Sequence, residues 1–224
     1  MPQTLGRTLD RHATPFQDVP IIRDAERRAG RAQAGMDERA CWAVTAGRLL
    51  PYKGIREAIQ AVAQVRAQGI DLRLLVLGSG QEEPALRETA RQLGLETVVR
   101  FAGWQADPPR SFALADVLLQ PSQDYEGFGR SIIEGMACGL PVIGTDVGGI
   151  PETFTEGVSG LLARGRGAQP LVEPLVRLAR DPHLRRAMGA ASRAEVAQRF
   201  TLQAHVEAVE SVYALTASAV VRSR

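Results

Sequence analysis

Residues 116–137 read Asp-Val-Leu-Leu-Gln-Pro-Ser-Gln-Asp-Tyr-Glu-Gly-Phe-Gly-Arg-Ser-Ile-Ile-Glu-Gly-Met-Ala. The first five form a mostly apolar run closed by Pro121, which predicts a short buried strand. Gly129, Ile132, Ile133, Met136 and Ala137 then recur at helical spacing, which predicts a helix with one apolar face. Between them lies the loop 121–129, with glycines at 127 and 129. A buried strand, a glycine-rich loop and an amphipathic helix make one unit of a parallel, helix-covered sheet.

The same alternation runs through most of the chain. Strand-like runs cover 41–46, 72–77, 98–102, 141–144 and 160–163. Ile55, Ala58, Ile59, Val62 and Ala63 recur at helical spacing, 82–93 reads as a helix ended by Gly94, and 111–115 is a short helical piece. Three helical segments follow, over 169–180, 182–199 and 202 to about 217. The expected fold is α/β, a single Rossmann-like doubly wound parallel sheet over 41–200. Residues 1–40 differ in composition and read as a linker or tail, with 24–35 a short exposed helix. Residues 201–224 read as a C-terminal helix and tail. Ligands of such sheets bind at the carboxyl ends of the strands, which selects the loops 47–54, 78–81, 102–110, 121–129 and 144–151.

Composition excludes several classes of function. Of 27 basic residues only Lys53 is a lysine, the chain has no asparagine, and the net charge is +2. That balance argues against a nucleic-acid partner, which needs a clustered positive field. Cys41 and Cys138 lack metal or disulfide spacing, read as small core residues, and suit a reducing cytoplasm. No run reaches the length of a membrane-spanning helix, and 1–10 lacks the apolar core of a signal peptide. Peripheral membrane association is left open.

Four loops bear on chemistry. Gly47-Arg48-Leu49-Leu50-Pro51-Tyr52-Lys53-Gly54 places two cations at the start of a helix, a combination suited to a diphosphate. In a chain that uses arginine everywhere else, the lone lysine suggests a need for a compact ammonium. Gly78-Ser79-Gly80 marks a close approach of backbone, without a third glycine at position 83. In 121–129, Gly127 and Gly129 leave N–H groups bare at the helix start, and Glu126 and Glu134 flank it as candidate acceptors for sugar hydroxyls. Pairing with the helix dipole, for Glu126, and a solvated helix face, for Glu134, are the competing readings. Gly148-Gly149-Ile150-Pro151-Glu152 fits a turn into a short helix as well as it fits a ligand contact.

Taken together these motifs resemble the C-terminal, donor-binding domain of the GT-B retaining glycosyltransferases of family 4, the glycosyl transferase group 1 pattern. The likeness rests on Gly47 to Gly54, on Pro121-Ser122, Glu126-Gly127-Phe128-Gly129, Glu134-Gly135-Met136-Ala137, Gly139 and Pro141-Val142, on Gly148 to Glu152 and on Gly157 to Leu161. Gly135 departs from it, standing where alanine is usual. The resemblance implies transfer of a hexosyl group from a nucleotide diphosphate sugar to an acceptor, with retention, and without a cofactor or metal. It implies catalytic roles for Arg48 and Lys53 on the diphosphate and for Glu126 on the donor sugar. Glu134 would hold the ribose, and Gly127, Phe128 and Gly129 would offer N–H groups. Gly47, Gly78, Ser79, Gly80 and Ile133 would complete the donor pocket, with Arg100 and Phe101 near the base.

A GT-B enzyme has two such domains, and this sequence reads as one. A separate acceptor-binding domain or subunit is therefore an expected partner, and a non-catalytic donor-binding or scaffold module is the alternative. A dinucleotide oxidoreductase is disfavoured, since no G-x-G-x-x-G follows the first strand. A metal-dependent GT-A transferase is disfavoured because there is no D-x-D. His12, His183 and His205 lie outside the selected loops.

Overall fold

Six short runs rich in Val, Leu, Ile and Ala build six strands, all parallel, in the order β3-β2-β1-β4-β5-β6. The computed structural model describes residues 24–222. In chain order the elements are α1 (Asp24–Gln33), β1 (Cys41–Ala46), a 3-10 turn (Pro51–Lys53), α2 (Ile55–Arg66), β2 (Leu72–Leu77) and α3 (Glu83–Gln92). They continue with β3 (Val99–Gly103), α4 (Pro108–Phe112), β4 (Val117–Gln120), α5 (Arg130–Ala137), β5 (Val142–Thr145) and a second 3-10 turn (Ile150–Glu152). The chain then forms β6 (Gly160–Ala163), α6 (Gln169–Arg180), α7 (Pro182–Arg199) and α8 (Leu202–Arg222).

Strand periodicity divides the apolar residues between two layers. On β2, Leu72, Leu74 and Val76 join a core with α2, α3 and α6, while Leu75 and Leu77 face the layer that holds Ile132, Ile133 and Met136 of α5. Burial on both faces is why these strands read as continuous apolar runs. Gly135 lies against β4: a Cβ there would come within 2.7 Å of the Leu118 side chain. That contact gives a packing reason for glycine at this position.

Two expectations change. The short helix near 111–115 begins earlier, at Pro108, because Pro108 and Pro109 occupy its first positions, where the missing N–H groups cost nothing. The stretch before Cys41 is more than an exposed linker from residue 24 onward. Arg31 is only 4% exposed. Its guanidinium donates to the Leu114 carbonyl at 2.7 Å, to the Ala40 carbonyl at 3.4 Å and to Asp116 Oδ2 at 2.7 Å. The same Asp116 oxygen accepts from the backbone N–H of Trp42 at 2.8 Å. One buried arginine thus bolts α1 to the amino ends of β1 and β4. The tail expected over 1–17 lies outside the described residues, as does His12.

The order of strands runs one way from β1 to β3 and the other way from β4 to β6. Loops after β1 and β4 therefore part company, which opens a crevice at the carboxyl end of the sheet. Cys41 and Cys138 are buried and free, and desolvation pushes both thiols up to about 12. They stay protonated and inert at neutral pH.

Replacement of Arg31 tests the docking of α1. Arg31→Met leaves Asp116 with Arg27 and the Trp42 amide, and strands two carbonyls. Urea unfolding is expected to show a loss of about 3 kcal/mol. A loss below about 0.5 kcal/mol, the scale of a surface change, would mean that the helix is not docked.

Candidate functional site

The crevice is shaped by backbone fitting against backbone. Gly54 has φ 72, and a Cβ built on it would lie 1.7 Å from the Pro121 carbonyl oxygen. Only glycine allows the loop after β1 to come this close to the loop after β4. The backbone N–H of Gln123 donates to the Tyr52 carbonyl at 2.7 Å and locks the approach. One residue on each side of this contact carries the chemistry: Lys53 Nζ stands 2.7 Å from Glu126 Oε2.

Glu126 is 8% exposed, and its carboxylate is tied down from several sides. Oε2 also accepts from Gln120 Nε2 at 2.7 Å and from Ser122 Oγ at 3.1 Å. Gln120 in turn accepts from Ser131 Oγ at 3.2 Å, which joins the end of β4 to the first turn of α5. All three donors fall on Oε2. Among the described residues Oε1 takes no hydrogen bond, so it is the acceptor that the carboxylate can offer to a ligand. The ion pair holds Lys53 in place while two further groups, Gln120 and Ser122, fix the anion, a pre-organised arrangement.

Gly148 and Gly149 have their explanation in the same loop. Cβ atoms there would lie 2.0 Å from the Glu126 carbonyl oxygen and 2.1 Å from that of Gly127. The Gly149 N–H donates to the Glu126 carbonyl at 3.1 Å. The paired glycines clamp loop 121–129 from behind, and Thr145 adds a 2.7 Å bond from its hydroxyl to the Ser122 carbonyl. Gly78 and Gly80 likewise let the loop after β2 close on the backbone of Gly47 and Leu49. The close partner marked by Gly78-Ser79-Gly80 is therefore the first loop, and Ser79 lies exposed on its rim.

Arg48 and Gly47 are exposed on that first loop, and Arg48 has no hydrogen-bond or ion-pair partner among the described residues. Gly127 and Phe128 are exposed at the mouth of α5, where Phe128 meets Phe200 edge to face at 5.7 Å between ring centres. Gly129, with φ 73, starts α5 without a side-chain cap, so the first N–H groups of the helix remain free to donate, apart from that of Ile132, which bonds the Gly129 carbonyl at 2.8 Å. Glu134, within α5, is half-buried and not on a freely solvated face. Burial pushes its carboxyl above the ordinary value, and the Arg130 guanidinium, 3.8 Å away, pulls the other way.

Three expected donor residues do not join this group. Ile133 is 2% exposed and packs in the core beneath the sheet. Arg100 is the second residue of β3, hence near its amino end, and its guanidinium donates to the Ala34 carbonyl. Phe101 is partly buried against the core, with the Arg87 guanidinium 4.5 Å above its ring. His183 and His205 are exposed, and His183 contacts Arg186. Among the described residues no three His, Cys, Asp or Glu side chains stand together as a metal site, and no helix is long and apolar enough to cross a membrane. Sequence reasoning missed Gln120 and Thr145, and gave Ser122 no role at the carboxylate. A glutamine closing the otherwise apolar strand β4 was the available signal.

Residues 26–195 match the glycosyl transferases group 1 family, and the chain belongs to it. It is 34% identical over 214 residues to the D-inositol 3-phosphate glycosyltransferase of Saccharomonospora viridis, covering 91% of this chain and 49% of that one. It is 40% identical over 157 residues to the GDP-mannose-dependent monoacylated alpha-(1-6)-phosphatidylinositol monomannoside mannosyltransferase of Corynebacterium glutamicum, covering 66% of this chain and 40% of that one. The crystal structure of Anabaena Alr3699/HepE in complex with UDP is similar with a TM-score of 0.79 and 27% identity, over 88% of this chain and 55% of that one. A C-terminal domain of a glycosyl transferase group 1 family protein (LpcC) from Francisella tularensis shares the fold, with a TM-score of 0.74 over 85% of this chain and 100% of that one. The chain spans about half the length of the curated relatives it matches. Its fold is that of the C-terminal domain of GT-B glycosyltransferases.

Two substitutions probe this geometry. Gly69 and Gly54 both have positive φ, but a Cβ on Gly69 meets open space. Gly69→Ala should cost about 1 kcal/mol, and Gly54→Ala at least about 3 kcal/mol, measured by urea unfolding. Equal losses would remove the backbone contact from the account. For Glu134, a raised pKa means that the folded state favours the protonated form. Its charge then works against the fold at pH 7, and the penalty fades as pH falls through the raised value. Glu134→Gln should raise the thermal midpoint at pH 7 and leave it unchanged below the ordinary value of 4.5. A gain that persists at pH 4 would sink this reading.

Proposed function

We propose that this chain is the nucleotide-sugar-binding half of a glycosyltransferase, which moves a hexosyl group from a nucleoside diphosphate sugar to an acceptor with retention. The observation that carries the reading is the Lys53–Glu126 pair, held at 2.7 Å where the strand order reverses. Arg48 and Lys53 are the cations for the diphosphate and for the charge that builds on it as the sugar departs. Glu126 Oε1 takes a hydroxyl of the donor sugar, Glu134 takes a ribose hydroxyl, and the open start of α5 turns N–H groups toward the anion. These groups supply the electrostatic stabilisation that a metal would otherwise give, so the reading needs no cofactor.

Support for the ligand class comes from relatives. HepE crystals hold UDP and UDP-glucose, and the Corynebacterium enzyme is named for GDP-mannose. The nucleobase is therefore a matter for measurement. Acceptor binding belongs to a second domain or a partner subunit, and the buried, free cysteines suit a cytoplasmic location.

Calorimetry with UDP, GDP and ADP tests the reading. At least one should bind, with Kd between about 1 μM and 1 mM. Lys53→Glu should abolish the heat, and Lys53→Arg should weaken binding about tenfold or more, because a planar fork does not replace a point charge on one oxygen. Arg100→Ala should leave affinity unchanged. Silence with all three nucleotides, or full affinity in Lys53→Glu, would refute the proposal.

A further inference from the structure

The amino ends of the strands, opposite the nucleotide loops, hold a second feature. A cavity of about 220 Å³ opens there, bounded by Ala40, Asp116 and Pro141, the residues just before β1, β4 and β5. Half of the residues lining it are arginines: Arg27, Arg28 and Arg31 on α1, Arg39 ahead of β1, and Arg185 and Arg186 on α7. Only two carboxylates, Asp116 and Glu38, stand against them.

The six arginines are not equivalent. Arg31 and Arg27 share Asp116, at 2.7 and 3.4 Å. Arg185 is spent on the Leu178 and Ala179 carbonyls at the end of α6, and Arg186 contacts His183. Arg28 and Arg39 are exposed, and neither guanidinium makes a hydrogen bond or close ion pair among the described residues, although Asp37 feels the charge of Arg39. Arg27 Nε is buried, again without a hydrogen bond among the described residues. One carboxylate shared by two arginines leaves a surplus positive charge at the floor, with two uncommitted forks at the rim. A small anion answers that surplus by accepting from the exposed forks.

The shape and charge select the ligand. Guanidinium forks match the tetrahedral oxygens of phosphate and bind them in pairs. The volume is below that of pockets for drug-sized molecules, about 300–1,000 Å³, and suits a small anion. β1 has six residues, so the two poles lie roughly 20 Å apart at about 3.3 Å per residue. We infer that this pocket is a binding site for a phosphate-ester anion, separate from the nucleotide loops. The shared chemistry is a phosphate group, carried by a soluble phosphomonoester or by a lipid headgroup.

The test titrates the full chain with inorganic phosphate and with glycerol 3-phosphate, followed by calorimetry and by phosphorus NMR. Vesicles of phosphatidylglycerol, with phosphatidylcholine as control, are sedimented in parallel. Two variants separate the poles: Arg28→Gln with Arg39→Gln, both exposed and without a close ion pair, and Lys53→Glu at the nucleotide loops. Wild type should bind both anions in about the millimolar range, and the double arginine variant should bind about tenfold or more weakly. Lys53→Glu should leave phosphate binding unchanged, and the double variant should leave UDP binding at the carboxyl pole unchanged. Co-sedimentation with phosphatidylglycerol, lost in the double variant, assigns the headgroup source. Its absence beside soluble binding assigns the soluble ester, and either upholds the site. No phosphate binding by wild type, equal binding by the double variant, or loss in Lys53→Glu alone would overturn it.

Discussion

The carboxyl end of this molecule depends on one contact, the meeting of Gly54 with the Pro121 carbonyl oxygen. The strand order reverses between β1 and β4, so their loops would otherwise diverge. The absence of a Cβ at residue 54 allows one backbone to rest on the other. The chemistry follows from that approach: Lys53 reaches Glu126, and the Tyr52 carbonyl receives the Gln123 amide. The loop after β5 then holds the arrangement from behind, with Gly148 and Gly149 pressed on the backbone of Glu126 and Gly127. The glycines in these loops are mostly joints between loops.

That distinction sets what could be read from the sequence. The six strands were legible because burial on both faces imposes continuous apolar runs, and α2 and α5 because one face must stay apolar. The pairing of Lys53 with Glu126 was not, because two cations and two carboxylates on separate loops carry no record of which meets which. Gln120 was hidden for the same reason: its role exists only once Ser131, Ser122 and Glu126 surround it. Arg100 was assigned to the wrong end. Membership of β3 was readable, but its place near the amino end of that strand, beneath α1, depends on where the strand begins. The helix α1 was misjudged because its composition is that of a surface segment, whereas a single buried residue, Arg31, docks it.

Arginine has two uses in this chain, as a structural fork and as an exposed cation. At the amino ends it serves as a structural fork: Arg31 binds two carbonyls and a carboxylate at once, a task suited to a planar group with five donors. At the carboxyl ends Arg48 is left exposed and unpaired among the described residues, in the manner of a group kept for a ligand. A net charge of +2 over the whole chain conceals this division.

Against that background the single lysine has a geometric reason. Oε2 of Glu126 accepts from Lys53, Gln120 and Ser122 together. A guanidinium approaching the same carboxylate would favour a bidentate grip on both oxygens. It would displace Gln120 or Ser122 and cover Oε1, the oxygen left for a ligand. An ammonium binds one oxygen as a point charge and keeps two further N–H donors to turn toward a phosphate. Lysine at position 53 thus satisfies two demands: the pair must be strong enough to hold the loops in register, yet it must leave one carboxylate oxygen and part of its own cation unspent.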